Sequence, residues 1–567
     1  MTPMQKLIAA SILIISLCVV LCAQQPTATP KRSDEPVTGV IDGKVVNESG
    51  QPLAGASLFV RAVNSSGSGR TTTSDVEGNF RVSGLEPALY VVTGTAPAYT
   101  TDQMDPTAPT YHRIGDTVRV EMIRGGAITG TVTNAVGEPV IAVRVRATMV
   151  RDARGETPNV MTFGFLEQST DDRGIYRIYG LRPGTYIVSA GGAGFTPSFN
   201  PYESDVPTFA PSSTRDSAAE VMVRSGEDST IDIRYRGEPG HTISGTTKST
   251  SPNGAQVTLA IPGSTLPFAA TFQMFGNRGF AFTGLSDGDY DLVAQEVTTT
   301  PTSTMPVLAI SEPRRVSVKG ADVTGIELAT RPLAMISGKM LLESSKVPEC
   351  QGKRPLLLPE TVVRVQRPEK EKEDSLTVRM LSSSASPDAT GSFVLRNLVP
   401  GRYQFEPHFY SRYWYLQSIT LTTGAAKPQK IDAAASWTAV KSGEQLSNLT
   451  ITLALGAASI RGRVPVPEGA AAPAAMSIYL VPGEADKADD VLRYFVADVG
   501  ADMTFTFNNL PPGRYLAFAD TQSTTLTKLR QPESAAARTK LRRSAETKKN
   551  EVELKPCQTV SDYQIKQ

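Results

Sequence analysis

Five times along its 567 residues this chain repeats one short ending, and no other feature limits its fold as strongly. The copies are Leu85-Glu86-Pro87-Ala88-Leu89-Tyr90, Leu181-Arg182-Pro183-Gly184-Thr185-Tyr186, Leu285-Ser286-Asp287-Gly288-Asp289-Tyr290, Leu398-Val399-Pro400-Gly401-Arg402-Tyr403 and Leu510-Pro511-Pro512-Gly513-Arg514-Tyr515. Their leading leucines are 96, 104, 113 and 112 residues apart. Solenoid and propeller units repeat every ~20–50 residues, whereas domains run to ~100. The spacing therefore predicts separate domains in tandem.

An alternating segment precedes each ending: Asn79-Phe80-Arg81-Val82, Ile175-Tyr176-Arg177-Ile178, Gly279-Phe280-Ala281-Phe282, Ser392-Phe393-Val394-Leu395 and Thr504-Phe505-Thr506-Phe507. Period-two alternation puts one set of side chains on one face, which predicts strands with a buried aromatic or aliphatic side. Each unit also opens on a glycine-containing strand, around Gly43, Gly130, Gly245, Gly338 and Gly462. Glycine and proline (46 and 40 residues) suit a chain dominated by turns. The predicted fold class is all-β: tandem immunoglobulin-like or transthyretin-like β-sandwich domains.

The repeat divides the chain into a signal peptide (1–23), an extended spacer (24–37), and sandwiches at 38–122, 123–236, 237–330, 331–455 and 456–567. The fourth carries a charged insertion around Arg367-Pro368-Glu369-Lys370-Glu371 and the fifth a C-terminal tail. Short strands such as Val118–Glu121 and Ile451–Ala454 run almost directly into the next unit, which predicts a stiff rod. In the tail, Leu529 to Lys549 reads as a poorly periodic helix, and Val552 and Leu554 as a last strand.

The signal peptide is read from Lys6, the apolar run Leu7–Leu21 and a cleavage point after Ala23. The run is shorter than the ~20 residues a spanning helix needs, and an uncleaved anchor is the alternative reading. The expected location is exported: periplasmic, outer-surface or extracellular. Cys350 and Cys557 remain after cleavage, and export permits a disulfide between them or two free thiols.

No reactive constellation is visible. His112, His241 and His408 fall in three different units without metal-ligand spacing. Ser66-Gly67-Ser68-Gly69 lies between strands, where a nucleophile elbow needs a following helix. Asp75, Asp171, Asp287, Asp289 and Asp388 sit at turns, where carboxylates cap backbone amides. A formal charge of +1 and the lack of a basic arm argue against a nucleic-acid partner. No enzyme activity and no cofactor are expected. The stretch Gly191–Ser213 holds four aromatics, Phe195, Phe199, Tyr202 and Phe209, which either pack on the sandwich or form a binding loop.

The pattern Gly-x-Val, Gly-x-Pro, Thr-Ser/Thr-Asp-x-x-Gly-x-Phe/Tyr, Leu-x-Pro-Gly-x-Tyr resembles the carboxypeptidase regulatory-like domain. That domain is a transthyretin-like sandwich, grouped with carbohydrate-binding-like and Cna-B-type folds. The first unit carries the pattern at Gly43, Val45, Gly50, Pro52, Thr73, Ser74, Asp75, Gly78, Phe80, Leu85, Pro87 and Tyr90, departing at Ala88. The second carries it at Gly130, Val132, Gly137, Pro139, Thr170, Asp171, Gly174, Tyr176, Leu181, Pro183, Gly184 and Tyr186. The later units keep mainly its second half. The resemblance implies a bacterial tandem-domain protein without catalytic residues of its own: a cell-envelope scaffold or adhesive protein. Its implied partners are an envelope protein or a polysaccharide. Carbohydrate binding and service as accessory to a secreted peptidase are the alternatives. Some Cna-B-type domains form an internal isopeptide bond. Here Lys44 and Lys339 lie in first strands, but Thr131 and Arg463 take the like positions, so the bond is not expected.

Overall fold

The computed structural model describes residues 39–565, apart from 64–68, 102–109, 157–166, 193–199, 250–253, 263–266, 273–277, 298–306, 354, 369–370, 372–380, 382, 425–426, 466–475, 501 and 522–523. The signal peptide and spacer therefore lie outside the described residues, as do Phe195 and Phe199.

The chain folds as tandem β-sandwiches on one plan. In the first, strand Gly39–Asn47 lies between Asn79–Leu85, antiparallel, and Thr117–Arg124, parallel. The facing sheet has the order Arg70–Thr73, Ser57–Ala62, Tyr90–Thr95. Strands Gly126–Thr133, His241–Lys248, Ala334–Glu343 and Ala458–Arg463 take the same central place in the later units. Each has an antiparallel neighbour drawn from the alternating segments and a parallel neighbour at the end of its unit. In the third unit, strand Val307–Ser311 pairs with both Gly288–Val297 and Val323–Pro332, so the two sheets join at one edge.

The glycine of each opening strand has a steric cause. Gly43, Gly130, Gly245, Gly338 and Gly462 stand opposite Phe80, Tyr176, Phe280, Phe393 and Phe505. A methyl group there would lie 1.9 Å from the carbonyl oxygen of Val118, Ile231 or Ile326, 2.6 Å from that of Leu449, or 2.4 Å from that of Tyr563. Only a residue without Cβ lets the parallel strand approach so closely. The aromatic ring opposite then covers the bare backbone.

The repeated ending is a corner closed by its tyrosine. The hydroxyls of Tyr90, Tyr186, Tyr290, Tyr403 and Tyr515 donate to the carbonyls of Glu86, Arg182, Ser286, Val399 and Pro511, four residues back, at 2.7, 3.0, 2.9, 2.7 and 2.9 Å. All five side chains are buried. Just before each leading leucine the chain turns left-handed, at Gly84, Gly180, Gly284, Asn397 and Asn509, with φ of 59° to 72°. The pairing with the opening strand shifts register at the same place, so each alternating strand ends in a β-bulge that aims the leucine into the core. Glycine and asparagine tolerate that φ best. Ala88 explains the one irregular corner: it has no positive φ, and its strand starts at Tyr90, whereas the other four start at the glycine.

Turn aspartates cap amides. Asp75 accepts from the amides of Glu77 and Asn79, Asp171 from those of Arg173 and Ile175, and Asp388 from those of Thr390 and Ser392. Asp171 and Asp388 are held below the usual carboxylate range, first by the side-chain hydrogen bonds of Arg173 and Thr390 and then by these amides.

The tail forms the expected helix and the expected strand at Val552 and Leu554, but that strand is not the last. Helix Ala535–Lys548 packs on the fifth sandwich, with Ala545 fully buried beside Tyr479 and Phe518. Strand Glu551–Leu554 joins the second sheet, and the closing parallel strand is Thr559–Gln564. The stiff rod also gives way to contacts between units distant in sequence. Leu89 and Tyr111 of the first sandwich bury themselves against Val362 of the fourth, with Leu89 and Val362 both 0 % exposed. Burying two such side chains contributes ~1.5–3 kcal/mol each.

Candidate functional site

A polar cluster covered by two other parts of the chain lies on the outer face of the fourth sandwich. Strands Thr361–Gln366 and Gly401–Phe409 pair antiparallel, with Val362 opposite His408, Arg364 opposite Glu406, and Gln366 opposite Gln404. Tyr403 and Phe405 point into the core, so alternation sends Gln404, Glu406 and His408 outward with Val362, Arg364 and Gln366. A polar outer face is the ordinary outcome for an antiparallel sheet with one wet side. This one is not wet throughout, because two other parts of the chain cover it.

The first sandwich covers one end. Beyond the apolar contact of Val362, Arg113 reaches Glu360 at 4.0 Å and donates to the Ser411 hydroxyl at 3.5 Å. Burial raises the phenols of Tyr111 and Tyr410, against the opposing charge of nearby Arg364. The C-terminal segment covers the other end. Thr525 caps the short helix Leu526–Arg530, accepting from the Lys528 amide. That helix places Thr527 where its hydroxyl donates to Glu406 Oε1 at 3.0 Å. Gln366 donates to Glu406 Oε2 at 3.0 Å, and His408 Nε2 lies 3.5 Å from the same oxygen. Gln404 donates to the Ala434 and Arg530 carbonyls, and Trp437 Nε1 to Glu533 at 2.7 Å. Arg530 lies over the Phe495 ring, 5.1 Å from its centroid.

These contacts fix the electrostatics. Burial by itself raises the Glu406 carboxyl. The imidazole of His408 3.5 Å away, with the Gln366 and Thr527 hydrogen bonds, outweighs burial and holds it at about 2. Burial lowers the Arg530 guanidinium to about 10, against the opposing pull of Glu406 and Asp490. A carboxylate fixed near 2 is a poor general acid and a weak general base at neutral pH. The arrangement is suited to joining pieces of chain.

The residues singled out from sequence are placed elsewhere. Tyr202, on the short 3-10 turn Pro201–Ser204, meets the Tyr235 ring edge-on at 5.6 Å, and Phe209 is buried in a strand paired with Gly184–Ala190. The same segment braces the next unit. The Ser204 carbonyl accepts from the Gly240 amide at 2.9 Å, and a Cβ on Gly284 would lie 2.3 Å from the Glu203 carbonyl oxygen. Cys350 and Cys557 come together, with sulfurs 1.97 Å and Cα atoms 5.4 Å apart, at the junction of the fourth and fifth sandwiches. There the Cys557 amide donates to the Gly456 carbonyl, at the point where the chain passes between the two. Lys44 and Lys339 are exposed. His241 lies 3.6 Å from Asp287 and 3.9 Å from Asp322, remote in sequence from His112 and His408. Among the described residues no group of three or more His, Cys, Asp or Glu is placed to hold a metal ion.

Sequence reasoning passed over Glu406, Gln366, Thr527 and Arg530. The alternation of Gln404, Glu406 and His408 was available as a signal of an outward row. Its covering by Thr527, over a hundred residues away, was not.

Residues 40–113 match the carboxypeptidase regulatory-like domain. The match lies within the first sandwich and ends before its last strand, Thr117–Arg124. No curated protein matches the chain. Among solved structures, a minor pilin of Streptococcus agalactiae shares 11 % identity, over 35 % of this chain and 96 % of its own, at a TM-score of 0.19. The shaft pilin of Lactobacillus rhamnosus GG shares 12 %, over 35 % and 98 %, at 0.16. Two B repeat units of the collagen binding protein of Staphylococcus aureus share 11 %, over 74 % and 100 %, at 0.13. At these values no functional inference follows from the likeness. No helix among the described residues is long and apolar enough to cross a membrane.

Proposed function

We propose that this protein is an exported, non-catalytic scaffold or adhesive protein of the cell envelope or extracellular space. The observation that carries the reading is the outer face of the fourth sandwich, where Val362 seats the first sandwich and Glu406 seats the C-terminal segment. Gln404 and Glu406 on that face both bond to the C-terminal segment. The recurrent polar residues of each unit are likewise spent on structure: tyrosines on corners and aspartates on turns. Export is supported by the apolar run Leu7–Leu21 and by two cysteines placed for a disulfide.

The test combines fractionation with chemistry. The full-length protein should be recovered outside the inner membrane and should pull down an envelope protein or polysaccharide. A hydrolase screen showing turnover that a single point substitution abolishes would overturn the reading, as would recovery in the cytoplasm.

A further inference from the structure

Every sandwich pairs its first strand with its last, and the pairing is parallel in all of them. In the first, Asp42 to Asn47 run beside Thr117 to Met122 in unbroken register over six positions. In the fourth, Met335 to Glu343 run beside Gln445 to Ala454 with eight paired positions and one irregularity. At three of the four junctions the units also follow each other directly. Strand Thr117–Arg124 ends two residues before Gly126, Val323–Pro332 two before Ala334, and Gln445–Leu455 three before Ala458.

These facts together fix how a pull along the chain enters each of the first three units, and the last two once the disulfide is reduced. Tension arrives at the start of the first strand and leaves at the end of the last. In a parallel pair those points lie at opposite ends of the shared ladder, so the strands must slide past each other. All ladder hydrogen bonds are then loaded together. An antiparallel terminal pair would place both points at one end and let the bonds open one after another. The glycines of the opening strands serve this pairing, since a Cβ at Gly43, Gly130 or Gly245 would strike the parallel partner's carbonyl. The disulfide geometry adds a second element. Cys350 lies after the fourth unit's first strand and Cys557 before the fifth unit's last. A bond between them carries load past the 207 intervening residue steps.

We propose that the protein is built to bear tension along its length, with the first three sandwiches loaded in shear and the Cys350–Cys557 bond withholding from extension the segment that holds the fourth sandwich's last strand and the fifth's first. The use of this property rests on the scaffold reading, but its measurement does not.

Single-molecule force spectroscopy on the full chain tests it. One handle sits ahead of Gly39; the other is placed on an exposed side chain at either end of the last strand of the first sandwich. Thr117→Cys peels the ladder, and Arg124→Cys shears it. The expected rupture force is at least about twofold higher through Arg124→Cys, because six paired positions resist together. A ratio near one overturns the proposal. A second measurement needs no substitution. Pulled end to end, the unmodified chain should break in discrete sandwich-sized steps and gain roughly 700 Å of final length on reduction, from about 3.3–3.6 Å for each freed residue. Gradual yielding without steps, or no gain on reduction, also overturns it. A force ratio of one would leave the scaffold reading standing. Turnover or cytoplasmic recovery would sink that reading without changing the forces.

Discussion

Removing one hydroxyl at a time from the five corners tests whether burial sets the worth of a repeated hydrogen bond. Tyr515→Phe and Tyr90→Phe delete the same donor from the same turn. Tyr515 is 0 % exposed and its acceptor, the Pro511 carbonyl, belongs to a buried residue. Tyr90 donates to Glu86, an exposed residue whose carbonyl water can reach. The ring contacts of Tyr515 survive in phenylalanine, including the edge contact with Phe495 at 6.3 Å and the stacking of Arg493. The substitution therefore isolates the hydroxyl. A net hydrogen bond contributes about 1 kcal/mol, and stranding a buried acceptor costs about 1–3 kcal/mol. The expected loss is about 2 kcal/mol at Tyr515 and under about 1 kcal/mol at Tyr90. Tyr403→Phe should lose at least as much as Tyr515→Phe, since its bond to Val399 is also buried and its hydroxyl accepts from Arg367 as well. Hydrogen exchange followed by mass spectrometry on the full chain reads each unit separately. Protection of strand Gly513–Asp520 should fall about 30-fold in Tyr515→Phe, and that of Tyr90–Thr95 by less than about fivefold in Tyr90→Phe. Equal effects at the two corners would refute the argument from acceptor burial.

Three further outcomes follow from particular contacts. Gly130→Ala puts a methyl 1.9 Å from the Ile231 carbonyl oxygen, with the Tyr176 ring 3.1 Å away, and should destabilise the second sandwich by about 3 kcal/mol, seen as lost exchange protection confined to that unit. Cys557→Ser opens a loop of 207 residues; chain entropy sets its cost at no more than about 5 kcal/mol, and a linked Cys350–Cys557 peptide in a non-reducing digest must be present in the parent chain for that loss to appear on melting. Glu406, held at about 2 against an ordinary 4.5, stabilises the folded chain above pH 4.5 and loses that contribution as pH falls toward 2. Glu406→Gln should therefore lower the melting temperature at pH 6 and narrow its difference from the parent chain by pH 2.5, and a constant difference across that range would refute the assignment.

The five corners were readable because each is a local device. Leu181-Arg182-Pro183-Gly184-Thr185-Tyr186 holds its turn, its strand start and its hydrogen-bonding tyrosine within six residues. The bulges were equally local, marked by Gly84, Gly180, Gly284, Asn397 and Asn509 before the leucines, but their left-handed φ gives no signal in a hydrophobic pattern. The opening glycines stood out as a repeated letter, while their cause, a carbonyl from a strand some 75 to 110 residues later, belongs to the assembled sheet. The aromatics of Gly191–Ser213 show the limit of composition. Tyr202 and Phe209 look alike as loop residues, yet Tyr202 packs on the second core, Phe209 is buried in a strand paired with Gly184–Ala190, and the backbone between them meets the third sandwich.

By itself, then, the sequence determined what each unit is: a sandwich whose strands alternate, whose opening strand needs glycine, and whose corner needs tyrosine. Periodicity and turn chemistry act between near neighbours, so they are written in consecutive letters. The tertiary structure alone decided which units touch. Leu89 finds Val362, Thr527 finds Glu406 and Cys350 finds Cys557 across separations that no local pattern spans. Those contacts depend on the relative placement of whole sandwiches, and that placement turned a row of similar domains into a chain whose fourth member holds the first and the last.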